Sequence, residues 1–274
     1  MPVISTNTAA NAAVRYLNIN ANQESSALSK LSSGSRITQA SDDAAGLAIS
    51  TRISSDVTTL QQAATNASQA TSILQTADGG ASNISDILAR MKSLASESSS
   101  GTVTDSSRSY INSEFSQLSS EIDSIATGTR YSGQSLLDGS SAFASGVSVL
   151  VGSSATDTIT VTLSSLTSSS LGVGALNVST QSGATSALAS LDTAINTVSA
   201  ARASIGAQES RFNFSANSIS TQTQNLQAAN SVISDVDVAS EEAVLSAAEV
   251  KTQAAVSAET AANQMPQYLL KLLG

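Results

Sequence analysis

Small or apolar side chains return every three or four residues along most of this chain, the spacing of a narrow stripe on one face of an α-helix. The first stripe runs Ala10, Val14, Leu17, Ala21, Leu28 and Leu31, interrupted by Glu24. A stripe this rich in alanine makes a helix that is marginal alone in water, so it predicts a partner helix, and the carboxy terminus offers one. A second stripe, Ile53, Val57, Leu60, Ala64, Ala67, Thr71 and Leu74, resumes at Ile84, Leu88, Met91 and Ala95 after Asp78-Gly79-Gly80. Ser98 to Asp105 reads as a polar turn. Tyr110, Ile111, Phe115, Leu118, Ile122 and Ile125 then mark an antiparallel helix ending near Gly128.

Between Tyr131 and Thr180 the period changes to two. Val147, Val149 and Val151, then Ile159, Val161 and Leu163, alternate around Gly152-Ser153-Ser154-Ala155, which predicts a β-hairpin. The longest stripe follows, from Ala184 to Ile233, with strict four-three spacing that includes Arg202 and Glu209. Such a seven-residue repeat predicts a left-handed supercoil, and polar residues in its seam can set helix register. Ser234-Asp235-Val236-Asp237 breaks the repeat and caps a last helix, expected to run to about Asn263, before Pro266 and the apolar Tyr268, Leu269, Leu270, Leu272 and Leu273.

The densest local signal lies from Leu31 to Ile53. Gly34 can take the left-handed conformation that closes a helix, and Ser41 and Asp42 can offer side-chain oxygens to the free N–H groups opening the next. Asp42 and Asp43 place negative charge at that helix's positive end, while Ala44, Ala45 and Gly46 keep its first turn thin. The expected arrangement is a helix end, a polar crossing and a helix start built to be packed against.

Composition narrows the chemistry. Only 3% of the 274 residues are aromatic and 12% are charged, so close contact between thin helices is favoured over a thick globular core. A net charge of −9 opposes binding to nucleic acid, whose phosphates require clustered Lys and Arg. With neither Cys nor His, thiol nucleophiles, histidine bases and the commonest zinc ligands are missing. No stretch approaches 18 continuous apolar residues and the amino terminus has no signal-peptide pattern, so no membrane partner and no cleavable address are expected. Asp42 and Asp43 are explained as helix-start residues, and no catalytic, cofactor or metal site is assigned.

The run Leu31-Ser-Ser-Gly34-Ser-Arg36-Ile37, followed by Asp42-Asp43-Ala44-Ala45-Gly46, resembles the amino-terminal signature of bacterial flagellin. The tail Ala262-Asn-Gln-Met-Pro-Gln-Tyr-Leu-Leu-Lys-Leu-Leu273 resembles the carboxy-terminal pattern of that family. Similarity extends from Met1 to about Gly139 and from about Thr185 to Gly274. It implies a mainly α fold: an elongated antiparallel coiled-coil bundle built from both chain ends, with a small β-hairpin insert in the middle and no large outer domains. The expected organisation joins 1–43 with 235–274 as an inner core of terminal helices, joins 44–140 with 181–234 as an outer coiled coil, and sets 141–180 aside as a short insert where flagellins carry variable domains.

The resemblance also implies function. It points to a subunit that polymerises into the flagellar filament for swimming motility, exported unfolded through the flagellar type III system and located outside the cell. The implied partners are further copies of itself in a helical homopolymer, an export chaperone, and the filament cap and hook-associated proteins. Residues assigned to the assembly junction are Leu31, Gly34, Arg36, Ile37, Asp42, Asp43, Ala44 and Gly46. Those assigned to packing of the ends are Val14, Leu17, Leu28, Leu269, Leu270, Leu272 and Leu273. Arg90, Leu94 and Glu114 fall where flagellins detected by a vertebrate innate receptor present such residues, although the Glu usual before that Leu is Ser93 here. Serines and threonines in the turns at Ser98–Ser107 and Thr167–Ser170 are candidate sugar acceptors. Two other readings remain open on the sequence, a hook–filament junction protein of the same superfamily and a signalling coiled coil.

Overall fold

The computed structural model describes residues 6–273, with side chains through Tyr268. In order, the elements are α1 (Thr8–Ser33), α2 (Ala44–Ser99), α3 (Asp105–Gly128), β1 (Arg130–Tyr131), β2 (Gln134–Ser135), α4 (Ala142–Ser145), β3 (Val147–Leu150), β4 (Thr158–Val161), α5 (Gln181–Ser234) and α6 (Val238–Leu273). The chain is mainly α, with two short antiparallel hairpins and no large outer domain. It gathers into two compact units, one of residues up to 55 with those from 225, the other of residues 56–224.

In the first unit α1 and α6 run antiparallel, linked by the ion pair Lys30–Glu241 at 3.8 Å and a Thr252 hydroxyl that donates to Glu24 at 3.4 Å. Glu24, the break in the apolar stripe, therefore has a partner across the pair. Ala27, Ala248, Ala255 and Ala262 are buried, and side chains this small let two helices approach closely. The seam differs in phase from the expected one. Ala10, Ala13, Leu17, Ala27 and Leu31 lie on the covered side, while Val14 and Leu28 are exposed. Alanine at the contact admits a nearer partner backbone than valine or leucine would, and Val14 and Leu28 turn outward.

α6 also runs on past Asn263, through Pro266 to Leu273. The side chains of Leu269, Leu270, Leu272 and Leu273, assigned to packing of the ends, lie outside the described residues. The parts of α2 and α5 that belong to this unit are joined where the Ser50 hydroxyl donates to Asn230 at 2.7 Å.

The second unit is a bundle of α2, α3 and α5 with its own core. Leu74, Ile84, Leu88 and Met91 of α2, Phe115 and Ile122 of α3, and Leu191, Val198 and Phe212 of α5 are all buried in it. α2 passes unbroken through Gly79-Gly80. Gly79 faces open space, but a Cβ on Gly80 would come within 2.9 Å of both Leu137 Cδ1 and Thr129 Cγ2, so Gly80 is where the segment after α3 lies against α2. Tyr110, expected on the buried stripe of α3, is 76% exposed, because Phe115, Ser119 and Ile122 define that face instead.

The expected hairpin is present as β3 and β4, with Val147 opposite Val161 and Val149 opposite Ile159. A smaller hairpin, β1–β2, precedes it and was not anticipated. It turns at Ser132 and Gly133, which have φ of 49° and 83°. Successive positive φ values suit a two-residue turn between short strands. The segment 162–180 has no regular structure, yet Leu163, Leu166, Leu171, Val173 and Val178 are buried, so the middle of the chain shares the core of the bundle.

Side chains from the helices hold this segment by its backbone. Gln208 of α5 accepts from the Thr162 N–H at 2.9 Å and donates to its carbonyl at 3.0 Å. Asp123 of α3 accepts from the Ser168 N–H and hydroxyl at 2.8 and 2.7 Å. Asn112 accepts from the Val178 N–H at 2.9 Å, and the Ser98 hydroxyl donates to the Val178 carbonyl. Buried backbone groups without strand partners thus still find hydrogen bonds.

Candidate functional site

The crossing between α1 and α2 is a folded junction with a counterpart. Gly34 ends α1 at φ 70°, ψ 6°, the left-handed conformation expected of it. Beside it, Ser35 and Asp235 form an antiparallel bridge: the Arg36 N–H donates to the Ser234 carbonyl at 2.6 Å and the Val236 N–H to the Gly34 carbonyl at 3.1 Å. The Ser35 hydroxyl reaches the Ser234 and Ile37 carbonyls at 3.1 and 3.0 Å. Both crossings, after α1 and after α5, are therefore bound to each other through their backbones.

The capping residue is Asp43, not Ser41 or Asp42. Asp43 accepts from the Gly46 N–H at 2.8 Å, the contact of an N-cap side chain with the third residue of its helix. Asp42 instead faces back into the crossing, where its Oδ2 accepts from the Thr38 N–H and hydroxyl and from the Gln39 N–H, all at 3.0–3.1 Å. Those hydrogen bonds, led by the one from Gln39, hold its carboxyl below the ordinary carboxylate pKa. Asp237 repeats the Asp43 role at the start of α6, accepting from Ala239 and Ser240 at 3.1 and 3.2 Å.

Gly46 is buried, and a Cβ there would come within 2.9 Å of Ile37 Cδ1 and 2.8 Å of the Asp43 carboxyl carbon. The glycine is thus the space into which Ile37 packs. Arg36 and Ala44 are exposed and Leu31 is half-buried.

Along the α1–α6 pair, the exposed apolar side chains include Val14, Tyr16, Ile19 and Leu28 on α1 and Val244, Val250, Val256, Met265 and Tyr268 on α6. Exposed apolar rows are found where proteins meet other proteins, membranes or ligands. A shallow groove lined by Ala13, Tyr16, Asn20, Lys251, Ala254, Ala255 and Ala258 runs between the two helices.

The chain ends match two family descriptions: residues 4–142 correspond to the bacterial flagellin N-terminal helical region, and residues 188–273 to the bacterial flagellin C-terminal helical region. The chain belongs to the bacterial flagellin family. It is 36% identical over 273 residues to a flagellin of Halalkalibacterium halodurans, covering 99% of each chain. It is 34% identical over 284 residues to the flagellar filament 30.7 kDa core protein of Treponema maltophilum, again covering 99% of each. Among solved structures it is similar to Bacillus cereus flagellin, with 31% identity and a TM-score of 0.52 over 61% of this chain and 94% of that one.

The three residues that the resemblance relates to an innate receptor differ in exposure. Arg90 donates twice to Glu114 Oε1, from Nε at 2.9 Å and from a terminal nitrogen at 2.6 Å, on an exposed surface between α2 and α3. Leu94 is 2% exposed, so its side chain belongs to the core and offers no surface contact. Of the sugar-acceptor candidates, Ser98 is buried, and Thr167 and Ser170 bond to each other at 3.0 Å.

Arg202 and Glu209 both lie in cross-helix links between α5 and α2. Arg202 pairs with Asp78 at 2.8 and 3.3 Å, and Glu209 accepts from Gln75 at 2.9 Å; Lys92 and Asp192 form a third link. Hydrogen bonding to Asp78, aided by the charges of Asp78 and Asp86, raises the Arg202 guanidinium pKa. Among the described residues there is no group of acidic side chains arranged to hold a metal, and no helix long and apolar enough to cross a membrane. Asn7, Thr252, Asn112, Asp123 and Gln208 were not singled out from the sequence, since each is an ordinary polar residue whose partner lies 45 or more residues away.

Proposed function

We propose that this chain is a structural subunit that polymerises through its paired ends into the bacterial flagellar filament. The observation carrying this reading is the distribution of side chains on α1 and α6: the buried positions are Ala27, Ala248, Ala255 and Ala262, while larger apolar groups such as Tyr16, Leu28, Val250 and Tyr268 are exposed. Covering one such side chain gains about 1.5–3 kcal/mol, so a row of them repeated in every copy favours a polymer over a free chain. The role is mechanical, with packing in place of chemistry. Passage through the flagellar type III channel as an unfolded chain, with a chaperone covering the tail from Leu269 to Leu273 beforehand, completes the proposal, as do the filament cap and hook-associated proteins as end partners.

Electron microscopy of purified full-length protein under salting-out conditions with filament seeds tests it. Filaments are expected from the unaltered chain and none from Leu28→Asp combined with Val250→Asp. An unaltered chain that stays monomeric would sink the proposal, and so would filaments formed by the double variant.

A further inference from the structure

Proline inside a helix normally breaks it. Its nitrogen has no hydrogen to donate, and its ring crowds the carbonyl four residues earlier. In α6 that residue is Ala262, whose carbonyl therefore lacks the N–H it would otherwise accept from, and the residue itself is buried. A carbonyl left without a donor where water has only partial access is costly. Here the donor comes from the other end of the chain. Asn7 Nδ2 donates to the Ala262 carbonyl at 2.8 Å across 255 residues of sequence. The same amide uses its oxygen to accept from the Ala10 N–H at 3.1 Å, as the N-cap of α1. A single side chain therefore satisfies a free donor that opens α1 and a free acceptor that Pro266 creates in α6.

We propose that Asn7 is the positioning residue that makes the two chain ends order together: α6 extends through Pro266 to Leu273 only while α1 is capped, and α1 is capped in this geometry only while α6 is in place. Serine or aspartate would cap α1 as well, but an aspartate carboxylate has no hydrogen to donate, and a serine hydroxyl, one atom shorter, has a single polar atom where Asn7 uses two. The device rests on the reading that ordered ends are what polymerise. It makes a chain with one end missing a poor subunit, because the remaining end lacks either its cap or its carbonyl partner.

A double-variant cycle separates this coupling from plain helix capping. Asn7→Asp keeps the acceptor and removes the donor, whereas Pro266→Ala returns an N–H to the helix so that Ala262 no longer needs Asn7. Hydrogen exchange of the amides from Gln267 to Leu273 is read by mass spectrometry on the full chain, free or polymerised, in whichever state the unaltered protein protects them. Asn7→Asp is expected to speed exchange about tenfold when Pro266 is present and less than about twofold in the Pro266→Ala background, a difference matching one hydrogen bond to a buried group. Equal effects in both backgrounds, no effect in either, or no protection of these amides in any state of the unaltered chain would each overturn the proposal. Polymer yield, measured alongside, reports separately on assembly: filaments with unchanged exchange defeat the clasp alone, and protected amides without filaments defeat the assembly reading alone.

Discussion

Gln208, in the middle of α5, pairs with Thr162 as a neighbouring strand would, taking the N–H at 2.9 Å and giving to the carbonyl at 3.0 Å. It is among the few polar side chains buried in the second unit. β4 ends at Val161, and this amide stands in for the strand partner that the next residue lacks.

Gln208→Glu keeps one half of the pairing and sets a carboxylate against a carbonyl in a buried place. It is expected to destabilise the chain by about 1–3 kcal/mol through the unsatisfied Thr162 carbonyl. Thermal unfolding followed by circular dichroism checks this, and a melting temperature equal to that of the unaltered chain would contradict it.

Neighbouring glycines in α2 are expected to respond in opposite directions. Gly79→Ala meets open space and gains about 1 kcal/mol from helix propensity. Gly80→Ala drives a methyl against Thr129 and Leu137 and is expected to lower stability by about 1–3 kcal/mol. Denaturant titrations of the two variants provide the comparison, and a shared sign would show that the packing of the segment after α3 has been misjudged.

At the junction, Gly46→Val is expected to displace Ile37 and loosen the cap at Asp43, lowering filament yield while leaving export unchanged. Gly34→Val should act likewise, since a β-branched side chain resists φ of 70°. Secreted and polymerised fractions, measured separately, test both. Normal filament yield would remove the junction from the set of assembly determinants.

Acid should act on the crossing through Asp42. Its carboxyl pKa is lowered in the folded chain, so the contribution is fully present above the ordinary carboxylate value of 3.8 and is lost as pH falls through the lowered one. Protection of the Thr38 and Gln39 amides, their exchange measured against the unstructured rate at the same pH, is expected to fall in that acid window, and Asp42→Asn should show reduced protection already at neutral pH. Protection that stays the same across that window in the unaltered chain would rule out the ionised carboxylate as the anchor.

Much of this was readable from local pattern. The four-three stripes located the long helices, and alternation located the β3–β4 hairpin, because side-chain direction repeats within each element. What failed was phase and partner. Val14 and Ala13 are equally consistent with a helical stripe, and only the closeness demanded by α6 puts the alanine inside. Asp42 and Asp43 both suit a helix start; the turn at Gln39 decides which carboxylate faces the crossing. The Tyr131-Ser132-Gly133-Gln134 turn carried a weak hairpin signal in its glycine. The helix through Pro266 carried none, since the donor that permits it sits at the opposite end of the chain.

The turn between β3 and β4 has a practical consequence. Val151 and Asp157 are joined by a 2.8 Å hydrogen bond at its base, and the residues between, from Ser153 to Thr156, are exposed. Closing a longer loop costs little more than closing a short one, since the entropy grows only with the logarithm of its length. A foreign epitope grafted between Ser154 and Thr156 would leave that base intact, and any polymer formed by these chains would carry the graft once per subunit, as a regularly spaced antigen array.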